Sequence, residues 1–292
     1  MLENYHGKNL RNSIGNVWRN LAKRFGGAKI ASPELDARIL VGHALNLDQL
    51  QLAIGEKRLL GQKELENIEN LAQRRLQNEP IARILGRKEF YGLEFLLNEA
   101  TLIPRPETEL LVDIAMDFLT GKPAPKILEL GVGSGCVVIS ILKNLHEARA
   151  WGVDVVAKAL EMARLNARFN GVDERIDWLC GSWFEPLAGD KKFDLIVSNP
   201  PYIDTKTIPA LPPEVRSFEP LEALDGGMSG LVAYEHIAAH ARSRLLQNGI
   251  LLFEIGHDQS ESVARICKKA GFCDVKSYPD LAGHIRAIRA RG

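Results

Sequence analysis

The chain has 292 residues, 46% of them hydrophobic and 25% charged, and its 37 basic residues balance its 37 acidic ones. That is globular composition, enough for one large domain or two smaller ones, without the basic excess of a typical duplex-DNA binder. Its four cysteines form no CxxC pair or zinc spacing, the N-terminus lacks a signal-peptide core, and no apolar run approaches the roughly 18 residues of a membrane span. A reduced, cytoplasmic protein with no metal and no membrane partner is therefore expected.

Residues up to about 30 are polar, carry Gly26-Gly27, and are expected to fray. Ser32-Pro33-Glu34 then reads as a cap, a proline at the first helical position and an acid in the first turn, followed by Leu35, Ile39, Leu40 and Leu45 at helical spacing. A second helical pattern, Leu65, Ile68, Leu71, Ala72 and Leu76, runs from Lys63 to Gln77. Residues 1–85 are thus predicted to form a small all-α domain. It holds no catalytic constellation, so it serves as a lid, a docking surface or a structural appendage.

Residues 86–104 read as a hairpin linker about Gly92, and Leu102-Ile103-Pro104-Arg105-Pro106-Glu107-Thr108-Glu109 opens a helix. From residue 105 to the end the pattern alternates strand and helix. Lys126–Leu130 is a strand, Gly131-Val132-Gly133-Ser134-Gly135 follows at once, and Cys136–Asn144 reads as a helix. A glycine turn between strand and helix lets the backbone approach a ligand closely, and suits NAD, a phosphate or S-adenosylmethionine (SAM). The next strand ends in Asp154, 154 − 129 = 25 residues after Glu129, where an acid bonds a ribose diol; the plain alternative is a helix cap. The turn is GxGxG rather than GxGxxG, and Glu129 stands before it. An acid there disfavours a phosphate and suits a cationic or zwitterionic ligand, which favours SAM over NAD.

Ile176–Cys180 is a third strand, with Trp183 placed for an adenine and Phe184 for the core. The fourth strand, Phe193–Ser198, ends at Asn199-Pro200-Pro201-Tyr202. The prolines cannot continue a ladder, so the chain leaves the sheet stiffly extended with the Asn199 carboxamide where the strand emerges. Beside it, prolyl carbonyls and the flat Tyr202 ring suit a planar amide or amino group; the plain alternative is a Pro-rich strand exit with an Asn turn. In a doubly wound sheet ordered 3-2-1-4-5, Asn199 falls beside Gly131–Gly135 at the topological switch point. Beyond a long irregular segment come a helix over Leu231–Leu246, a strand over Gly249–Ile255, a helix over Ser260–Ala270, and an antiparallel pair, Cys273–Tyr278 with Ile285–Arg289. His257 and His284 lie near turns and read as non-catalytic. The expected fold is α/β, a Rossmann-like methyltransferase sheet with an antiparallel last strand and a small helical N-terminal domain.

The stretches EPIARILGRKEFYG, LIPRPETELLV, ILELGVGSG, FDLIVSNPPYI, EPLEALDGGMSGL and DLAGHIRAIRAR resemble the HemK family of protein glutamine N5-methyltransferases over nearly the whole chain. The resemblance implies that Gly131, Val132, Gly133, Ser134, Gly135, Asp154, Trp183 and Asn199 contact SAM, which leaves as S-adenosylhomocysteine. It implies that Asn199, Pro200, Pro201 and Tyr202 hold a substrate glutamine, with Asn199, Pro200 and Tyr202 catalytic. The implied partner is a peptide chain release factor, with no direct nucleic acid and no metal. Ser182 departs from the family pattern, in which some members carry an acid before the Trp. Rival readings are a ribosomal-protein glutamine methyltransferase, a DNA adenine methyltransferase and a SAM-sensing binding module; the intact Asn199–Tyr202 element argues against the last.

Overall fold

A computed structural model describes residues 12–292, which fall into two compact units divided between Leu85 and Gly86. The first holds the helices α1 (Ile14–Gly27), α2 (Pro33–Leu45), α3 (Gln49–Ile54), α4 (Gln62–Leu76) and α5 (Ile81–Leu85). The polar, frayed start expected up to residue 30 is corrected here over its described part. Ile14, Trp18, Leu21, Ala22 and Phe25 recur at helical spacing, and α1 buries them all; residues 1–11 lie outside the described part. Ser32 stands at the cap of α2, yet its side chain makes no capping bond. The apolar faces meet in one core, and Arg75 of α4 reaches Asp36 of α2 at 2.7 Å in a buried ion pair.

The second unit begins with a hairpin, β1 (Arg87–Phe90) and β2 (Leu93–Leu96), followed by α6 (Glu109–Leu119). Then come β3 (Lys126–Leu130), α7 (Cys136–Asn144), β4 (Arg149–Asp154), α8 (Ala157–Phe169), β5 (Ile176–Cys180) and β6 (Phe193–Ser198). A short helix α9 (Pro213–Arg216) lies in the irregular segment, before α10 (Val232–Arg244), β7 (Leu245–Glu254), α11 (Ser260–Lys269), β8 (Asp274–Pro279) and β9 (Ile285–Arg291). The seven strands stand in the order β5-β4-β3-β6-β7-β9-β8. The first five are parallel, and β9 runs antiparallel to both its neighbours. This is the expected doubly wound order, 3-2-1-4-5, extended by an antiparallel pair.

The apolar runs read as strands because both faces are covered. Ile127, Leu195, Val197, Ile250 and Leu252 point into the core shared with α6 and α7. Their neighbours Leu128, Leu130, Ile196, Leu251 and Phe253 point the other way, into the core shared with α10 and α11. Strand period two thus sorts one sequence into two layers. The helix expected to run to Leu246 ends at Arg244, and β7 starts at Leu245, earlier than the expected Gly249. Leu245 pairs with Phe193 before a register shift.

A cleft at the carboxyl ends of β3, β4 and β6

The strand order sets the ends of β3 and β6 side by side, where βα turns leave backbone groups unpaired and a ligand can enter. The cleft there is lined by Gly131, Val132, Gly133 and Ser134 after β3, by Asp154 after β4, by Ser182 and Trp183 after β5, and by Asn199 and Pro201 after β6. Of the residues singled out in the sequence, Gly135, Pro200 and Tyr202 are outside this lining. Gly135 has φ +79°, and a Cβ there would lie 2.8 Å from the Ile139 side chain. That position shapes the entry to α7 rather than a contact surface. Pro200 is buried, and Tyr202 is half-buried against the α10 side of the sheet.

Asp154 ties the cleft together. Its Oδ2 accepts the Gly133 N–H at 2.8 Å and its Oδ1 accepts the Val156 N–H at 2.9 Å. The helix-cap and ligand-site readings of this acid are therefore not exclusive, since a carboxylate offers about four lone-pair sites. Burial pushes its carboxyl up, and these backbone bonds pull it back. Asn166, fully buried on α8, donates to the Ser134 carbonyl and to the Leu96 carbonyl, and accepts the Leu96 N–H. It thereby fixes the glycine turn to the hairpin.

Glu129, on β3, is buried and accepts the Val138 N–H at 3.0 Å in the first turn of α7. Burial pushes its carboxyl up to about 8, and the nearby Asp154 adds to the shift. The acid expected to attract a cation thus holds its proton at neutral pH in the absence of one.

The wall of the cleft comes from Arg105, held between two prolines, and from Glu222 and Ala223 of the long irregular segment after β6. Arg105 lines it, and its Nη2 donates to the buried Glu219 carboxylate at 2.7 Å. The other Glu219 oxygen accepts the Ile103 N–H. The LIPRPETE stretch is in this way bonded to the irregular segment after β6. Ile203 pairs with Asp225 there, and Gly230, with φ +67°, packs so closely that a Cβ would run into the Tyr202 carbonyl oxygen. Gln259 bonds the same carbonyl: its Nε2 donates to the Tyr202 carbonyl at 3.0 Å and to the Gly230 carbonyl at 3.2 Å. Its Oε1 accepts the Gly256 N–H. The Asn-Pro-Pro-Tyr exit is held in place by its neighbours. Asn199 Nδ2 donates to the Thr108 hydroxyl at 3.4 Å, and Ser198 Oγ donates to the Leu130 carbonyl at 2.7 Å. No sequence signal links Thr108 to Asn199 or Gln259 to Tyr202; only the fold brings them together.

An open parallel sheet of this order, with a glycine turn, an acid after the second strand and a polar strand exit at one cleft, defines the Rossmann-like methyltransferase fold. The solved structure of a methyltransferase from Pyrococcus furiosus shares that fold, with a TM-score of 0.51 at 18% identity over 76% of this chain and 97% of that one. Two families match by sequence: "PrmC N-terminal domain" over residues 16–86 and "Methyltransferase small domain" over residues 107–211. A release factor glutamine methyltransferase of Agrobacterium fabrum is 40% identical, covering 92% of this chain and 94% of its own length. That of Bradyrhizobium diazoefficiens is 42% identical over 96% and 95%. The chain belongs to the release factor glutamine methyltransferase family.

Proposed function

We propose that this protein transfers the methyl group of SAM to the side-chain amide nitrogen of the glutamine in the Gly-Gly-Gln loop of peptide chain release factors. The observation that carries the reading is the placement of Asn199. Its carboxamide lines the same cleft as the glycine turn and Asp154, in a chain whose relatives of that name match it nearly end to end.

The residues present fit SAM. The turn offers backbone and no basic side chain, and two acids, Glu129 and Asp154, stand beside it in a cleft that Glu222 and Arg105 also line. This suits a ligand carrying positive charge and a ribose better than a pyrophosphate. When bound, SAM supplies an electrophilic methyl group on a positively charged sulfur. Asp154 would hold the ribose hydroxyls, Trp183 would cover the adenine, and Glu129 would face the charged end. Gly131–Ser134 would lie along the ligand, with Gly135 setting the turn.

An amide nitrogen is a poor nucleophile because its lone pair is delocalised. The Asn199 side-chain oxygen and the Pro200 carbonyl would accept its two N–H groups, orient it and draw it toward a tetrahedral form. Tyr202 and Pro201 would pack along the amide plane. Positioning then supplies most of the catalysis. A strong base is not required, because methylation makes the remaining proton very acidic. The helical unit, residues 1–85, has its own core and would hold the release factor. A substrate of the translation machinery supports a cytoplasmic location.

Incubating the protein with SAM and a purified release factor, and weighing the factor by mass spectrometry, tests the reading. One added methyl group is expected; an unmodified factor beside folded, SAM-bound protein would overturn it.

A further inference from the structure

Behind Asn199 lies a carboxyl group that the methyl-transfer scheme above does not use. Ser198 pairs with Phe253 across β6 and β7, so Asn199 and Glu254 follow side by side at the carboxyl ends of the two strands. Glu254 is 4% exposed, and among the described residues its Oε2 is buried without a hydrogen-bond partner. The Thr108 and Asn199 side chains face this carboxyl and pull it down, and Asn199 Nδ2 donates to the Thr108 hydroxyl at 3.4 Å. A carboxylate only accepts, so it selects the nitrogen end of the carboxamide. The oxygen end is then the one turned to the cleft.

We propose that Glu254 is a positioning residue: with Thr108 it fixes the Asn199 carboxamide so that Oδ1, and not Nδ2, meets the substrate amide. The proposal rests on the functional reading above. A reversed carboxamide would present N–H against N–H and could not orient the nucleophile.

The state of Glu254 controls this selection. Burial pushes its carboxyl up to about 7, with Glu107 adding to the rise, while Thr108, Arg286 and Asn199 pull it down. Tyr202, Tyr234 and Cys136 also face its charge. Burial raises all three, Tyr202 to about 12, so they stay neutral across the range in which Glu254 titrates. Protonated Glu254 donates through its O–H and accepts through its other oxygen, so it bonds either end of the Asn199 carboxamide and the selection is lost. Glu254→Gln reproduces that ambiguity at every pH, because a carboxamide both donates and accepts.

The test is kcat at saturating SAM, measured against pH for release-factor methylation by the full-length protein. Saturation removes the separate titration of Glu129 from the profile. The wild-type kcat should rise through pH about 7. Glu254→Gln should lose on the order of tenfold above that pH, with a flat profile and unchanged SAM affinity by calorimetry. In an Asn199→Ala background, Glu254→Gln should cost nothing further, since it acts through Asn199. A Glu254→Gln protein with wild-type kcat and profile, or an additive loss in the Asn199→Ala background, would overturn the role. If Glu254→Gln fails to fold, the wild-type profile still decides: a flat kcat through neutral pH overturns it. A wild-type protein that methylates no release factor overturns the functional reading and this role together.

Discussion

The carboxylate of Asp154 accepts the backbone N–H of Gly133 at 2.8 Å, bonding the tip of β4 to the middle of the turn that follows β3. One acid thus shapes the glycine turn before any ligand arrives. Asp154→Ala should therefore remove both a ribose acceptor and a support of the turn. SAM affinity should fall by about 1–3 kcal/mol, the scale of a hydrogen bond to a charged group. Asp154→Asn should fall between wild type and Ala, because its nitrogen faces one of the two N–H groups the carboxylate now accepts. Calorimetric titration of SAM checks both variants; unchanged affinity in Asp154→Ala would contradict the assignment.

Glu129 makes SAM binding depend on pH. Its carboxyl is pushed up to about 8 from an ordinary 4.5, so near neutrality the protein binds a proton there. A positively charged ligand favours the carboxylate and expels that proton. SAM affinity should therefore rise with pH between about 6 and about 7.5, and Glu129→Gln should flatten the slope. The same shift acts on stability with the opposite sign. Between about 4.5 and about 8 the folded state holds a proton that the unfolded state has lost, so this residue lowers stability as pH rises. The stability of Glu129→Gln relative to wild type should grow across that window in urea titrations. A constant difference would show that Glu129 titrates as an ordinary surface acid.

The two units divide between Leu85 and Gly86, and each buries its own set of apolar side chains. A chain starting at Gly86 should fold, bind SAM with near wild-type affinity, and methylate intact release factor poorly. Full methylation by this shorter chain would remove the docking role assigned to residues 1–85.

Much of this architecture was legible in the sequence because the relevant signals are local. Buried strands such as Lys126–Leu130 and Phe193–Ser198 announce themselves as short apolar runs ended by glycine or proline. The Asp154 spacing and the Asn199-Pro-Pro-Tyr exit are also local, and the sheet order brings Asp154, Asn199 and the glycine turn to one cleft. The helix over Ile14–Gly27 was missed because its polar face and glycines dominate the composition, while the apolar face shows only at helical spacing. The early start of β7 depends on pairing with Phe193, which no local pattern encodes. Thr108, Glu219, Glu254 and Gln259 were silent for a related reason. Each is an ordinary polar residue in its own segment, and gains meaning from a partner distant in sequence, as Glu219 does from Arg105 and Gln259 from Tyr202. The proton on Glu129 is likewise a product of burial, so its residue type alone suggested a fixed negative charge.

The central claim is that Asn199 orients a glutamine amide for methylation. The most direct measurement is tandem mass spectrometry of a release factor after timed incubation with SAM and either wild-type protein or Asn199→Ala. Wild type should place one methyl group on the side-chain nitrogen of the Gly-Gly-Gln glutamine. Asn199→Ala should bind SAM with modest loss and methylate that glutamine on the order of 10²-fold more slowly, as when a preorganised hydrogen-bonding group is removed. A methyl group found on any other residue, or a near wild-type rate for Asn199→Ala at saturating SAM, would contradict the account.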